Sequence, residues 1–283
     1  MIPLLSYLFY FIAGSASPIQ RRRLSTRKNI ENKWQISLAF HVMLIVTTLS
    51  LFLPLFEPFY IQGNVFYLII LALSCGISGA IYLISYFIAQ KHVEAGISTL
   101  VNNIYTPITI VLATLFLNEK LTTIQILWTF FLLIGMVIVS KQHRIGRFKF
   151  DKYFMLMVLS GIALGIMLTA ERTLQKMTWF TAGAMMSWWS QCLFLWIATL
   201  ITHNKNQYSK KDIAITWVLR FLQSLSWVIL IFVVGNLSLV SAITTFKIVV
   251  VFIAGALFLN EREDLPRKII GSLVALVGLL LMK

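Results

Sequence analysis

Two basic side chains stand inside otherwise apolar stretches of this 283-residue chain, and they are the residues best placed to do chemistry. Lys247 lies within about a residue of the centre of the apolar run 238–258. An ionisable group at the middle of a membrane costs on the order of 2.5 to 3.5 kcal/mol on insertion scales, so something must compensate it. No acid falls at the centre of any apolar run, which makes a substrate carboxylate or phosphate the expected partner; the alternative is a lysine bonded to backbone carbonyls that fixes helix register. Arg220 sits about four residues, or roughly 6 Å, from the middle of the run 213–235. It either snorkels to water or, because Trp217, Gln223, Ser224 and Trp227 share its helical stripe, faces a wet cavity.

Smaller polar groups recur at helical spacing. Thr99, Asn102, Thr106 and Thr109 are three or four apart and share a face, with Asn103 and Tyr105 beside them. That face lines a pore or makes interhelical hydrogen bonds, worth about 0.6 kcal/mol each in membranes. Pro107 interrupts the backbone ladder in the same stretch, freeing a carbonyl that is either a substrate ligand or part of a kink absorbed by neighbours. Tyr7, Tyr10, Gly14 and Ser17, then Ser74, Ser78 and Tyr82, then Trp188, Trp189 and Gln191 form further stripes able to stack and hydrogen-bond, and Thr244 precedes Lys247. Aromatic stripes also serve as packing or interfacial belts. The expected substrate-binding set is Lys247, Arg220, Asn102, Asn103, Tyr105, Thr106, Thr244, Trp188, Gln191, Tyr82 and Tyr10. Gly161 and Gly165 form a GxxxG pair that marks close helix packing. Glu171 and Arg172 fall near the end of the run 153–175, where snorkelling to water makes them cheap and leaves them outside the site.

The elements that carry these residues follow from hydropathy. With 59% apolar and 12% charged residues, the chain is far from the roughly 25% charged content of soluble domains. Apolar windows fall at 2–19, 35–56, 65–88, 97–117, 122–140, 153–175, 180–202, 213–235, 238–258 and 267–282, most about long enough to cross some 30 Å of hydrocarbon as a helix. Backbone polar groups cannot stay unpaired in lipid, so ten transmembrane helices in an all-α bundle are expected. The net charge of +14 does not mark a nucleic-acid binder, because the cations sit in short gaps between the runs, where they face lipid headgroups. Eighteen of the 24 Lys and Arg lie in odd-numbered connections, including Arg21, Arg22, Arg23, Arg27, Lys28 and Lys33 in the first. Positive loops stay cytoplasmic, so both termini are expected outside an inner membrane. Cys75 and Cys192 lie inside apolar runs and serve packing, with no disulfide or metal site between them.

The chain also repeats itself. Thr114 to Lys120 reads TLFLNEK and Ala256 to Arg262 reads ALFLNER, 142 residues apart. Glu119 and Glu261, next to Lys120 and Arg262, are expected to cap and pair in tight turns. The basic stretch 141–152 separates two groups of five runs, 1–140 and 153–283. Five is odd, so the second group must insert opposite to the first, an inverted repeat characteristic of secondary transporters. In that alignment Lys247 corresponds to Tyr105.

The segments Tyr86 to Val139 and Asn236 to Lys283, which hold the two LFLNE copies, resemble the EamA-type repeats of the drug/metabolite transporter superfamily. The resemblance implies ten helices, a central cavity between spans 1–4 and 6–9, and spans 5 and 10 as outer supports. It also implies export of amino acids, nucleotide sugars, drugs or other metabolites. A membrane enzyme would need converging acids, histidines or ligands, whereas His41, His92, His143 and His203 are scattered and no triad or phosphate loop appears. No cofactor is expected, and the partners are membrane lipids and a small molecule, with the chain a monomer or homodimer. Positive buried charge points to an anionic or zwitterionic substrate, an amino acid or organic acid, moved by alternating access in the direction of export. Drugs and lipid-linked or nucleotide sugars are the alternative cargo.

Overall fold

A computed structural model describes residues 2–27, 31–117, 152–202, 208–237 and 247–261, with short runs or single positions at 127, 131, 134, 240, 244, 266, 269–271, 273, 274 and 277. Among these residues every regular element is a helix. They are α1 Ile2–Ser25, α2 Asn32–Ser50 with a short 3-10 turn at Leu53–Leu55, α3 Val65–Ala89, α4 Ala95–Asn102, α5 Tyr105–Leu117, α6 Lys152–Ile201, α7 Lys210–Val234 and α8 Lys247–Phe258. Among the described residues five helical segments, including α2, α3, α6 and α7, are long and apolar enough to cross a membrane, which makes the protein multi-pass. The expected runs 122–140 and 267–282, the stretch 141–151 and Asn118 to Lys120 of the first repeat motif lie outside the described residues.

Helix α6 is 50 residues long, about 75 Å at 1.5 Å per residue, too long for one crossing. Trp179 divides it: its φ of 65° and ψ of −173° are foreign to a helix, and they separate two limbs where the sequence places runs 153–175 and 180–202. The second limb begins with a cap, the Thr181 N–H donating to Glu57 Oε2 at 2.8 Å. A carboxylate there meets the positive end of the helix dipole.

The expected single run 97–117 is broken into α4 and α5. Pro107 is the reason. It offers no N–H to Asn103, four residues back, and its ring crowds that carbonyl. The chain therefore turns at Asn103 and Ile104, whose N–H groups bond to Leu100 and Val101, and the Thr106 N–H takes the Asn103 carbonyl at 2.9 Å. The carbonyl that proline frees is thus used within the turn. Against this break lies the first limb of α6, admitted by Gly161 and Gly165: a Cβ at Gly161 would stand 2.2 Å from Ile104 Cγ2 and 2.7 Å from the Asn102 carbonyl. Close approach of small residues is what holds helices together where lipid tails cancel the hydrophobic drive.

Helices α3 and α6 pack together, as do α1 and α7, while α8 bridges α1 and α4, and α2 closes the side between α6 and α7. The cations expected in the first connection need correcting. Arg21, Arg22 and Arg23 belong to the last turns of α1, and Arg21 is buried, donating to the Ser17 carbonyl at 3.3 Å with its guanidinium 4.4 Å from the centre of the Tyr86 ring. At that end of the bundle the second LFLNE copy makes its turn. Asn260 adopts φ 58°, a left-handed conformation that asparagine tolerates. Glu261 then folds back on α8, its N–H bonded to the Gly255 carbonyl at 3.2 Å.

Candidate functional site

A cavity opens between the two helix pairs. One wall is α1, α7 and α8, contributing Tyr10, Gly14, Arg220, Gln223, Trp227 and Lys247; the other is α3, α4 and the two limbs of α6, contributing Tyr82, Tyr86, Asn102, Glu171, Trp188 and Gln191.

Lys247, in α8, is 8% exposed. Its Nζ donates to the Tyr10 hydroxyl at 2.6 Å and lies 4.9 Å from the centre of that ring, so a neutral phenol and its π face are the contacts that hold it. Among the described residues no carboxylate pairs with this amine. Gly14 lies against it, with Lys247 Cδ 3.5 Å and Gln223 Nε2 3.8 Å from where a Cβ would stand, ordinary contact distances. One turn along α7 from Gln223, Arg220 reaches across with its guanidinium 5.7 Å from the centre of the Tyr82 ring, and its Nε has no hydrogen-bond partner. Two donors of positive charge therefore share one chamber, and the rings of Tyr10, Tyr82, Tyr105 and Trp227 stand around them.

Of the eleven residues expected to bind substrate, the structure brings Lys247, Arg220, Asn102, Tyr105, Trp188, Gln191, Tyr82 and Tyr10 to the cavity. Asn103, Thr106 and Thr244 are buried and do not line it. Asn103 Nδ2 donates back to the Thr99 carbonyl at 2.9 Å, and Thr244 Oγ1 donates to the Val240 carbonyl at 2.8 Å. The break ahead of Pro107 changes the helical phase, so Thr99 and Asn102 face the cavity while Thr106 and Thr109 turn away.

Glu171 corrects the sequence reading most. Expected to snorkel, it is 2% exposed and lines the cavity, and Arg172 is 7% exposed with Nη2 donating to the Gly235 carbonyl at 2.8 Å. The first limb of α6 continues as helix past this pair, and the turn at Trp179 folds the second limb back over it. A signal was present: Leu164, Met167, Leu168 and Glu171 recur at spacings of three and four, and all four line the cavity.

At the end where α1 finishes, the polar groups are arranged differently. Arg22 Nε donates to Glu261 Oε1 at 2.9 Å and its Nη1 to the Gln90 carbonyl at 2.6 Å, while the Ala95 N–H that opens α4 donates to Glu261 Oε2 at 3.0 Å. The capping and pairing expected of Glu261 are thus made with Ala95 and Arg22; Arg262 lies outside the described residues. Burial pushes the Glu261 carboxyl above its ordinary value, further than the Arg22 guanidinium and the Ala95 N–H pull it down. Nearby, Arg27 makes a two-pronged bond to Asp212 at 2.6 and 2.9 Å, which holds the guanidinium above its ordinary value. Among the described residues no three His, Cys, Asp or Glu side chains converge as a metal site would require. Cys75 and Cys192 are both buried thiols.

Comparison with known proteins agrees with this architecture. Residues 2–141 match the model of the EamA-like transporter family. One solved crystal structure, described only as a protein, superposes with a TM-score of 0.63 over 99% of this chain and 94% of its own, at 13% identity, a likeness of fold alone. No curated protein matches the sequence.

Proposed function

Because the chain is a membrane transporter of the EamA-like family, we propose that its cavity carries a small anionic or zwitterionic metabolite, an amino acid or organic acid, outward across the inner membrane by alternating access. The observation that carries this reading is Lys247, a buried amine held by a phenol and in ion-pair contact with no carboxylate among the described residues. An ammonium withdrawn from water keeps its charge at little cost only if an anion arrives, and a substrate carboxylate supplies one each time the cavity fills. Arg220 adds a planar fork suited to the same group. The aromatic lining gives the rest of the molecule an apolar surface to rest on. That lining also favours a second cargo, a nucleotide-linked sugar, whose base would stack on Tyr82, Trp188 or Trp227 and whose phosphates would meet the same cations.

The remaining architecture follows the repeat. We read residues 1–140 and 153–283 as two five-helix units of opposite insertion, joined by the basic linker 141–152. The end at which Arg22, Arg27 and Lys152 gather faces the cytoplasm, and both termini lie outside. Two units related in this way exchange conformations, so that the cavity faces each side in turn.

Counterflow of a labelled metabolite panel into proteoliposomes, with the intact protein and Lys247→Gln compared at equal insertion, tests the reading. Carboxylate-bearing substrates should lose at least about tenfold in uptake, the loss of one charge-assisted contact in a desolvated site. Unchanged uptake in Lys247→Gln, or transport of a dye-like cation indifferent to Lys247→Ala, overturns it.

A further inference from the structure

The cavity holds one acid as well as two bases. Glu171 is 2% exposed, it lines the same chamber as Lys247 and Arg220, and its Oε1 accepts no hydrogen bond. An ionised carboxylate is an acceptor only, so what this oxygen lacks is a donor. Ser187 and Trp188 adjoin the carboxyl. Next to them on the second limb of α6, Gln191 donates its Nε2 to Ser187 Oγ at 3.0 Å and leaves its own Oε1 without a partner. Arg220 is near enough to act on Glu171 electrostatically, yet Arg220 Nε and Glu171 Oε1 both stay open.

These open valences divide by wall. On the α6 wall, Glu171 Oε1 and Gln191 Oε1 are acceptors in want of donors. On the α7 and α8 wall stand the donors Arg220 Nε and Trp227 Nε1, the latter also unpartnered, together with the Lys247 amine; Gln223 Oε1 is the single acceptor out of place. Buried polar groups in folded proteins nearly always find partners, and a ligand can be one of them. A plain anion would satisfy the basic wall and leave Glu171 uncompensated beside a second negative charge. A plain cation would do the reverse.

We propose that Glu171 is an ammonium site: the substrate is a zwitterion whose carboxylate lies against Lys247 and Arg220 and whose ammonium donates to Glu171 Oε1 and Gln191 Oε1. This rests on the reading that the two cations receive an anionic group, and it narrows the cargo from organic acids in general to amino-acid-like molecules. Selectivity then comes from what the wrong molecule leaves unpaired.

The test uses the full-length protein in proteoliposomes, with counterflow competition by matched trios: leucine, 4-methylpentanoate and 3-methylbutylamine; phenylalanine, 3-phenylpropanoate and 2-phenylethylamine; serine, 3-hydroxypropanoate and ethanolamine. In at least one trio the zwitterion should compete at least tenfold better than the deaminated acid. Glu171→Gln should bring that preference close to unity while the acid competes as well as before or better, and Glu171→Asp should retain part of it. A wild-type protein that prefers the acid in every trio, or that shows no preference in any, overturns the proposal without recourse to a variant that folds poorly. So does a preference that survives in Glu171→Gln, including the case in which only the pH dependence of uptake changes, which would make the carboxyl a proton carrier. Competition by the amines alone brings down the anionic reading along with this one, whereas competition by the acids without benefit from the ammonium brings down this one only.

Discussion

The cavity and the end of the bundle where α1 finishes are built from the same side chains, arginine, glutamate and glutamine, and they use them in opposite ways. At the end, Arg22 spends two donors on Glu261 and the Gln90 carbonyl, both oxygens of Glu261 are taken, and Arg27 grips Asp212 twice. In the cavity, atoms of Glu171, Gln191, Arg220, Gln223 and Trp227 are buried with their hydrogen-bonding capacity unspent. Polar groups that satisfy one another hold a structure; polar groups kept from one another cost stability and are retained where something else must bind.

The comparison breaks first where its contrast is largest. Glu261→Ala strips Arg22 and the Ala95 N–H of their acceptor at once, and it should lower stability by about 2 kcal/mol in a detergent melt. Gln223→Leu, by contrast, removes an unpartnered acceptor together with the amide's contact to the Tyr10 hydroxyl, and should change the melting temperature far less than Glu261→Ala while transport falls several-fold. If both variants lose stability alike, the two regions are not different in kind. Glu57→Ala, which uncaps the second limb of α6, should cost about 1 kcal/mol and leave substrate preference alone, measured by the same melt and by competition.

The smallest effect sharpens the contrast through pH. The Glu261 carboxyl is held above its ordinary value of 4.5, chiefly by burial. A group raised on folding contributes stability that is complete below its unfolded value and lost as pH climbs through the folded one. Relative to Glu261→Gln, the wild-type protein should therefore gain stability as pH falls from 7 toward 4. A parallel pH profile in the two proteins would show that the carboxyl is not carrying that dependence.

Several of these features could be read in advance, and physical reasons separate them from the ones that could not. Lys247 announces itself because a charge in the middle of an apolar run has few structural excuses, and Gly161 with Gly165 predicts a close crossing because their spacing presents both to one neighbour. The break at Asn103 was half visible in Pro107; its effect on phase, which turns Thr106 and Thr109 from the cavity, depends on how many residues the turn consumes. Distance from the end of a run puts Glu171 at the water, and the structure buries it. Depth in a membrane is not exposure, and here the refolded second limb of α6 covers a position that a lone helix would have left wet. Arg21 differs from its expected place in a loop for a similar reason, since α1 runs on past its apolar stretch and delivers the guanidinium onto Tyr86.

The three-point junction at Glu261 joins distant parts of the chain: the glutamate comes from the second half of the sequence, and Arg22, Gln90 and Ala95 from the first. In the alternating access proposed above, rocking of one half past the other parts these atoms. On that reading the junction is a latch, and every kcal/mol added to it slows release about fivefold if the added bond is absent at the moment of opening. A tighter turn there would yield a sturdier protein and an idler one.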